Sequence, residues 1–114
     1  MSDNALLHEF QSITEPLCLE ELFPFQQPTE LEIGCGDGGF LFQMAQEYPD
    51  RNFLGVERLL GRIRKLDKKG RRDNLQNLCL LRIEARYLIQ YLLPEHRMEA
   101  MHVYFPDPWP KDKH

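Results

Sequence analysis

The chain has 114 residues, of which 42% are hydrophobic, and its formal net charge is −4. This length allows one domain, and no apolar run approaches the ~20 residues of a membrane-spanning helix. The first ten residues lack the basic leader and apolar core of a secretory signal, so we expect a soluble, cytoplasmic protein with no membrane partner.

Residues 1–28 are predicted to form a lead-in that contains prolines and one short helix. From residue 29 to 114, short β-prone apolar runs alternate with helical periodicity. The predicted strands are Glu30–Ile33, Phe53–Glu57, Leu78–Ile83 and Met101–Phe105, and the helical stretches are Phe40–Tyr48, Leu59–Gly70 and Ala85–Leu93. This alternation predicts an α/β fold with a doubly wound parallel sheet and right-handed crossovers.

In such a sheet the first and fourth strands are neighbours, and ligands bind where the chain order reverses between them. A glycine turn follows the first predicted strand, and a proline-rich tail follows the fourth. We therefore expect both segments to face one crevice. Because the fourth strand lies close to residue 114, we also expect a sheet truncated after about four strands, from a longer protein.

The glycine turn comprises residues 32–39 and carries the glycine spacing of dinucleotide-binding folds. A pyrophosphate at this turn would be opposed by Glu32 and Asp37, whereas the sulfonium and ammonium groups of S-adenosylmethionine would be attracted. The sequence thus favours S-adenosylmethionine, with a plain strand-to-helix turn as the alternative. Cys35 is interpreted as the small residue that this turn requires rather than as a nucleophile.

Two further acids lie at the carboxyl ends of predicted strands. Glu57 lies where nucleoside-binding folds place an acceptor for ribose hydroxyls, and the alternative is a solvated carboxylate that pairs with Arg58 or Arg62. Glu84 lies where an adenine amino group would approach, and the alternative is a carboxylate at a helix N-terminus.

In the tail, Pro106, Pro108 and Pro110 remove three backbone donors and stiffen the chain around Asp107 and Trp109. A charge beside a flat stacking surface suits a heteroaromatic ring with donors on its edge. The alternative is a rigid turn in which Trp109 fills the core.

Charge is distributed unevenly along the chain. Residues 1–50 contain ten acids and no Lys or Arg, whereas residues 58–72 contain eight bases and a single acid, Asp67. This basic stretch is either a solvated helix face or a surface for nucleic-acid phosphates. The cysteines and histidines lack the spacing of metal ligands, so we expect reduced thiols and no metal.

The segments 31–38, 55–57 and 105–114 together resemble the bacterial tRNA (guanine-N7-)-methyltransferases. The first two are shared by many class I S-adenosylmethionine enzymes, and the tail matches a signature specific to this family. The resemblance implies a Rossmann-like fold and methyl transfer to N7 of a guanosine in the variable loop of tRNA. The family usually has Asp or Asn at the position of Glu84.

By matching position, Glu32, Glu57 and Asp107 would contact the cofactor, and Lys111 would contact the substrate. The candidate cofactor-binding residues also include Gly34, Gly36, Gly38 and Glu84, and the candidate substrate-binding residues include Trp109 and His114. Because methylation leaves the guanine cationic, Asp107 is also the candidate catalytic residue. The alternatives are a methyltransferase acting on a small molecule, a dinucleotide-binding module, and a cofactor-binding fragment without activity.

Overall fold

A computed structural model describes residues 6–36, 38–94 and 97–103. In chain order its elements are α1 (Leu19–Leu22), β1 (Thr29–Ile33), α2 (Gly39–Glu47), β2 (Asn52–Val56), α3 (Leu60–Arg72), β3 (Leu78–Leu81), α4 (Ala85–Tyr87), a π-helical turn (Leu88–Leu92) and β4 (Met98–Val103). None of the helices in these ranges has both the length and the apolar character that crossing a membrane requires.

The four described strands form one parallel sheet in the order β3-β2-β1-β4. The predicted α/β class and the predicted pairing of the first strand with the fourth are both confirmed. All carboxyl ends of parallel strands lie along one edge of the sheet, and the order reverses between β1 and β4. This edge carries the turn after β1 and the first residues after β2 and β3.

Helical and irregular segments cover both faces of the sheet. Every residue of β2 and β3 is buried, as expected for strands covered on two sides. On one face the lead-in and the π-helical turn supply the packing, and on the other α2 and α3 do. The large side chains that are almost completely buried are Leu31, Leu41, Leu54, Ile63, Leu80, Leu81, Leu88 and Leu92.

Several element boundaries differ from the predicted ones. Helix α3 continues through Gly70, where a helix end was expected, because this glycine is buried and lies against the Leu6 side chain. The chain leaves the helix at Asn74, whose φ of 58° is the left-handed conformation common after helices. Beyond β3, the predicted single helix is a short α4 followed by the π-helical turn.

Residues 6–8 of the lead-in are docked between β3 and α3. Leu80 N donates to Leu6 O at 2.8 Å, and His8 N donates to Leu80 O at 2.9 Å. The Asp67 carboxylate accepts from Leu6 N at 2.7 Å and from Leu7 N at 3.1 Å. The lone acid of the basic helix therefore fastens a segment about 60 residues away in the sequence.

Asp67→Ala should loosen this docked segment selectively. Two backbone donors would lose a charged acceptor, which should lower the free energy of unfolding by about 1 to 2 kcal/mol. Hydrogen exchange measured by mass spectrometry should show faster exchange over residues 6–8. Asp73→Ala is the control, because among the residues that the structure describes the Asp73 carboxylate forms an ion pair only with the neighbouring Arg72, at 3.4 Å. Unchanged protection of residues 6–8 in Asp67→Ala would contradict the docking role.

Candidate functional site

The turn between β1 and α2 is built on three glycines with left-handed backbone. The φ angle is 69° at Gly34, 60° at Gly36 and 81° at Gly38, a region in which a Cβ is unfavourable. Gly38 N donates to Cys35 O at 2.8 Å, and Gly38 is the N-cap of α2. Gly34 and Gly36 are partly exposed, so the turn offers bare backbone at the carboxyl edge of the sheet, where a ligand can approach closely, whereas Gly38 is buried.

This turn is fastened to the neighbouring strand. Gly34 N and Cys35 N both donate to Val56 O, at 2.9 and 3.2 Å. A Cβ at Gly55 would overlap Leu41 of α2 and lie 3.4 Å from Cys35 Sγ. Gly55 is thus required for close packing beneath the turn, and a glycine inside a strand is the sequence signal for such an approach.

Two buried carboxylates flank the turn. Glu32, in β1, is 5% exposed, and Glu57, directly after β2, is 7% exposed. Glu57 N donates to Leu81 O at 3.0 Å, and its carboxylate accepts from Leu59 N at 3.0 Å. Arg62 Nη1 lies 3.8 Å from Glu57 Oε1. The pairing of Glu57 with Arg62 is therefore confirmed, but the alternative of a solvated carboxylate is wrong.

The pKa of the Cys35 thiol reflects the burial and the negative charge around the turn. Burial, aided by the negative charges of Glu32 and then Glu57, raises the pKa of the Cys35 thiol to about 12. The thiol is therefore neutral at physiological pH and unsuited to nucleophilic attack. The same two charges would stabilise a cationic group bound at the turn.

Glu84 follows β3 and is exposed. Its carboxylate Oε1 accepts from Tyr87 N at 2.9 Å, which caps the first turn of α4. The interpretation of Glu84 as a helix N-terminal carboxylate is thus confirmed, and an adenine contact stays a prediction.

The remaining predicted site residues, Asp107, Trp109, Lys111 and His114, lie outside the described residues, as does Asp37. The last described residue, Val103 of β4, pairs in the sheet with Ile33, which immediately precedes Gly34.

Other titratable groups lie away from the turn. Glu30, at the start of β1, is 7% exposed and pairs with Arg51 at 3.0 Å and with His102 Nε2 at 2.8 Å. His102 is thus held by the Glu30 carboxylate. Among the described residues, no group of three or more His, Cys, Asp or Glu is arranged to hold a metal.

A hollow of about 590 Å³ lies on another part of the molecule, between the lead-in and the loop that precedes β3. Its lining includes His8, Glu21 and Arg71 but none of the predicted site residues. This hollow is therefore separate from the carboxyl edge of the sheet, where the left-handed glycines and buried carboxylates converge.

A comparison with family models matches residues 26–114 to the family described as "Putative methyltransferase". The chain is 36% identical over 99 residues to a tRNA (guanine-N(7)-)-methyltransferase of Thermotoga maritima, covering 87% of this chain and 32% of that protein. It is 44% identical over 80 residues to a protein of the same name from Anaeromyxobacter dehalogenans, covering 70% of this chain and 40% of that protein. The chain thus spans less than half the length of these two relatives.

Solved structures share the fold at lower identity. The antibiotic-resistance methyltransferase Kmr has a TM-score of 0.62 at 22% identity, covering 82% of this chain and 47% of that one. A 30S ribosomal A1408 methyltransferase from an uncultured bacterium has a TM-score of 0.57 at 20% identity, covering 69% of this chain and 38% of that one. These likenesses establish a class I methyltransferase fold of the Rossmann-like type. The family match over residues 26–114 shows that the chain belongs to the family described as "Putative methyltransferase".

Proposed function

We propose that the protein transfers a methyl group from S-adenosylmethionine to N7 of a guanosine in the variable loop of tRNA. In this proposal residues 29–114 belong to the cofactor-binding domain and residues 1–28 are its lead-in. The observation that carries the proposal is the pair of buried carboxylates, Glu32 and Glu57, beside a turn of left-handed glycines.

The chemistry of this turn suits S-adenosylmethionine better than a dinucleotide. A pyrophosphate would bring negative charge towards two buried carboxylates, whereas a sulfonium and an ammonium would be attracted to them. In the bound state, Gly34, Gly36 and Gly38 would offer backbone to the cofactor, and Glu57 would accept from its ribose hydroxyls. Glu84 is the proposed neighbour of the adenine amino group. The cofactor supplies the electrophilic methyl group.

The chain's part in the transfer is mainly positioning. Guanine N7 has an exposed lone pair and carries no proton, so attack on the methyl group needs no general base. The product ring is cationic, and the Asp107 carboxylate would stabilise this charge as it develops. Trp109 would stack on the guanine, and Lys111 and His114 would contact the RNA. The resemblance of segment 105–114 to the family signature supports these roles.

The identity of the substrate is supported by the names of the relatives and by the charge of the chain. Lys and Arg contacts to phosphates would provide most of the affinity for tRNA, which salt should weaken steeply. Within the chain, residues 58–72 and the Lys111–His114 tail supply these cations. A cytoplasmic location, where tRNA is available, stays part of the proposal.

The cofactor assignment is tested by calorimetric titration of the purified chain with S-adenosylmethionine and, separately, with NAD. Circular dichroism first establishes that the chain is folded. We expect binding of S-adenosylmethionine and no binding of NAD. Preference for NAD by the folded chain would refute the cofactor assignment and favour the dinucleotide-binding alternative.

The substrate assignment is tested with S-adenosylmethionine that carries a radioactive methyl group. We expect label to enter tRNA and to map to one guanosine of the variable loop by cleavage at 7-methylguanosine. Label in free metabolites but not in tRNA would identify a small-molecule methyltransferase. Cofactor binding without transfer to either class would identify a chain that binds the cofactor but lacks activity.

A further inference from the structure

The charges of α3 separate onto different sides of the helix. Ile63, Leu66 and Gly70 are buried against the sheet and the lead-in, and Asp67 points to the docked segment, where it accepts from Leu6 N and Leu7 N. Arg71 pairs with this same Asp67 at 3.1 Å. The single acid of the helix is therefore committed to the lead-in and is not available to neutralise the cations on the other side.

Three of those cations line one groove of about 530 Å³. They are Arg62, Lys65 and Lys69, spaced three and four residues apart, so they share one helix face. Leu59, which is 51% exposed, and Gly61 complete an apolar part of the wall. In the described part of the chain, neither Lys65 nor Lys69 forms an ion pair, so their charges remain available to a ligand.

This groove adjoins the glycine turn. Leu66 lines the groove, and its Cδ2 is 2.5 Å from the position that a Cβ at Gly38 would occupy. The Lys69 ammonium lies 4.7 Å from the centroid of the Phe42 ring, which also abuts Gly38. Arg62 connects the groove to the buried Glu57 at 3.8 Å. A ligand in the groove would thus continue outward from the candidate cofactor site.

We infer that the α3 groove binds the sugar–phosphate backbone of the tRNA, with Lys65 and Lys69 on phosphates and Leu59 against a ribose or base. This inference rests on the proposed function and adds to it the surface that holds RNA beside the cofactor. From Arg62 to Lys69 the helix rises about 10 Å, which matches an extended polyanion better than one isolated phosphate. The groove would select its ligand by charge and shape. Contacts of this kind position the RNA but do not read its base sequence.

Lys65→Glu is the informative variant because Lys65 lines the groove and lies outside the proposed catalytic and cofactor-binding residues. Lys68→Glu is the matched control: Lys68 is exposed, lies on the same helix and undergoes the same change of charge, but does not line the groove. Fluorescence anisotropy with labelled tRNA gives the dissociation constant at several salt concentrations. Calorimetry with S-adenosylmethionine is run on the same preparations.

We expect Lys65→Glu to weaken tRNA binding about tenfold and to reduce the slope of log affinity against log salt by about one. Lys68→Glu should change affinity less than threefold, and both variants should bind S-adenosylmethionine normally.

Equal losses of tRNA affinity in the two variants would refute the groove while leaving the proposed substrate intact. Absence of tRNA binding by the unmodified chain would instead refute the proposed substrate. Preference for phosphatidylserine vesicles over tRNA, lost in Lys65→Glu, would assign the groove to an acidic membrane surface and overturn the inference.

Discussion

Glu57→Gln is expected to weaken the binding of S-adenosylmethionine by roughly 10- to 100-fold, the value of one charge-assisted hydrogen bond. The substitution preserves the size of a buried side chain and one oxygen that can accept from Leu59 N. It removes the negative charge that would attract the cationic cofactor. It also replaces one of the two carboxylate oxygens that would accept hydrogen bonds from the ribose hydroxyls. Calorimetric titration of the purified variant measures the loss directly.

Glu30→Gln is the matched control for this experiment. Glu30 is another buried glutamate of the same sheet, equally 7% exposed and also paired with an arginine. It stands at the start of β1, whereas the glycine turn follows the end of that strand. Its substitution should lower the free energy of unfolding but leave cofactor affinity within about twofold. Similar losses of affinity in the two variants would mean that Glu57 acts only through the stability of the fold.

Gly38→Ala is expected to lower the free energy of unfolding by about 3 kcal/mol. The left-handed φ of 81° costs a residue with a Cβ about 1 to 2 kcal/mol, and overpacking adds a similar amount. The new methyl group would lie 2.5 Å from Leu66 Cδ2 and 2.9 Å from Phe42 Cε2. Urea unfolding followed by circular dichroism measures the change, and cofactor affinity should fall with it because the turn must shift.

The same substitution at Gly61 should act in the opposite direction. Gly61 lies in α3, its φ is not left-handed, and an added Cβ would have no neighbour within 4 Å. Gly61→Ala should therefore stabilise the chain by about 0.5 to 1 kcal/mol, through the lower helix propensity of glycine. A Gly38→Ala variant as stable as the unmodified chain would show that the turn tolerates a side chain and that its left-handed geometry is not required.

The architecture could be predicted because it depends on local patterns. Alternating apolar runs identified the strands, and the connection rules for parallel sheets then placed the first strand beside the fourth. The glycine turn was recognisable because left-handed backbone demands glycine. Glu32 was identified as an acid of this turn, and Glu57 followed from its position at a strand end. The approximate position of the candidate site was thus contained in the order of the elements.

What could not be predicted depends on contacts between distant residues. In the sequence, Asp67 is simply the single acid of a basic helix. Only the fold shows that its carboxylate accepts hydrogen bonds from Leu6 N and Leu7 N. Gly70 resembles a helix end because its partner, the Leu6 side chain, lies in a segment without periodicity. The burial of Glu57 could not be predicted either, because a carboxylate followed by arginines is equally compatible with a solvent-exposed position.

The docking of residues 6–8 along β3 has a consequence for the behaviour of the protein in concentrated solution. On its outer side, in the described part of the chain, β3 meets only this segment, through a single bridge between Leu7 and Leu80. An uncovered strand edge is a template for pairing with other molecules, and LCLL, the sequence of β3, is apolar throughout. Because residues 6–8 cover the β3 edge, we expect their loss to favour edge-to-edge association there, so affinity tags at the N-terminus should leave residues 6–8 intact and be joined through a flexible spacer.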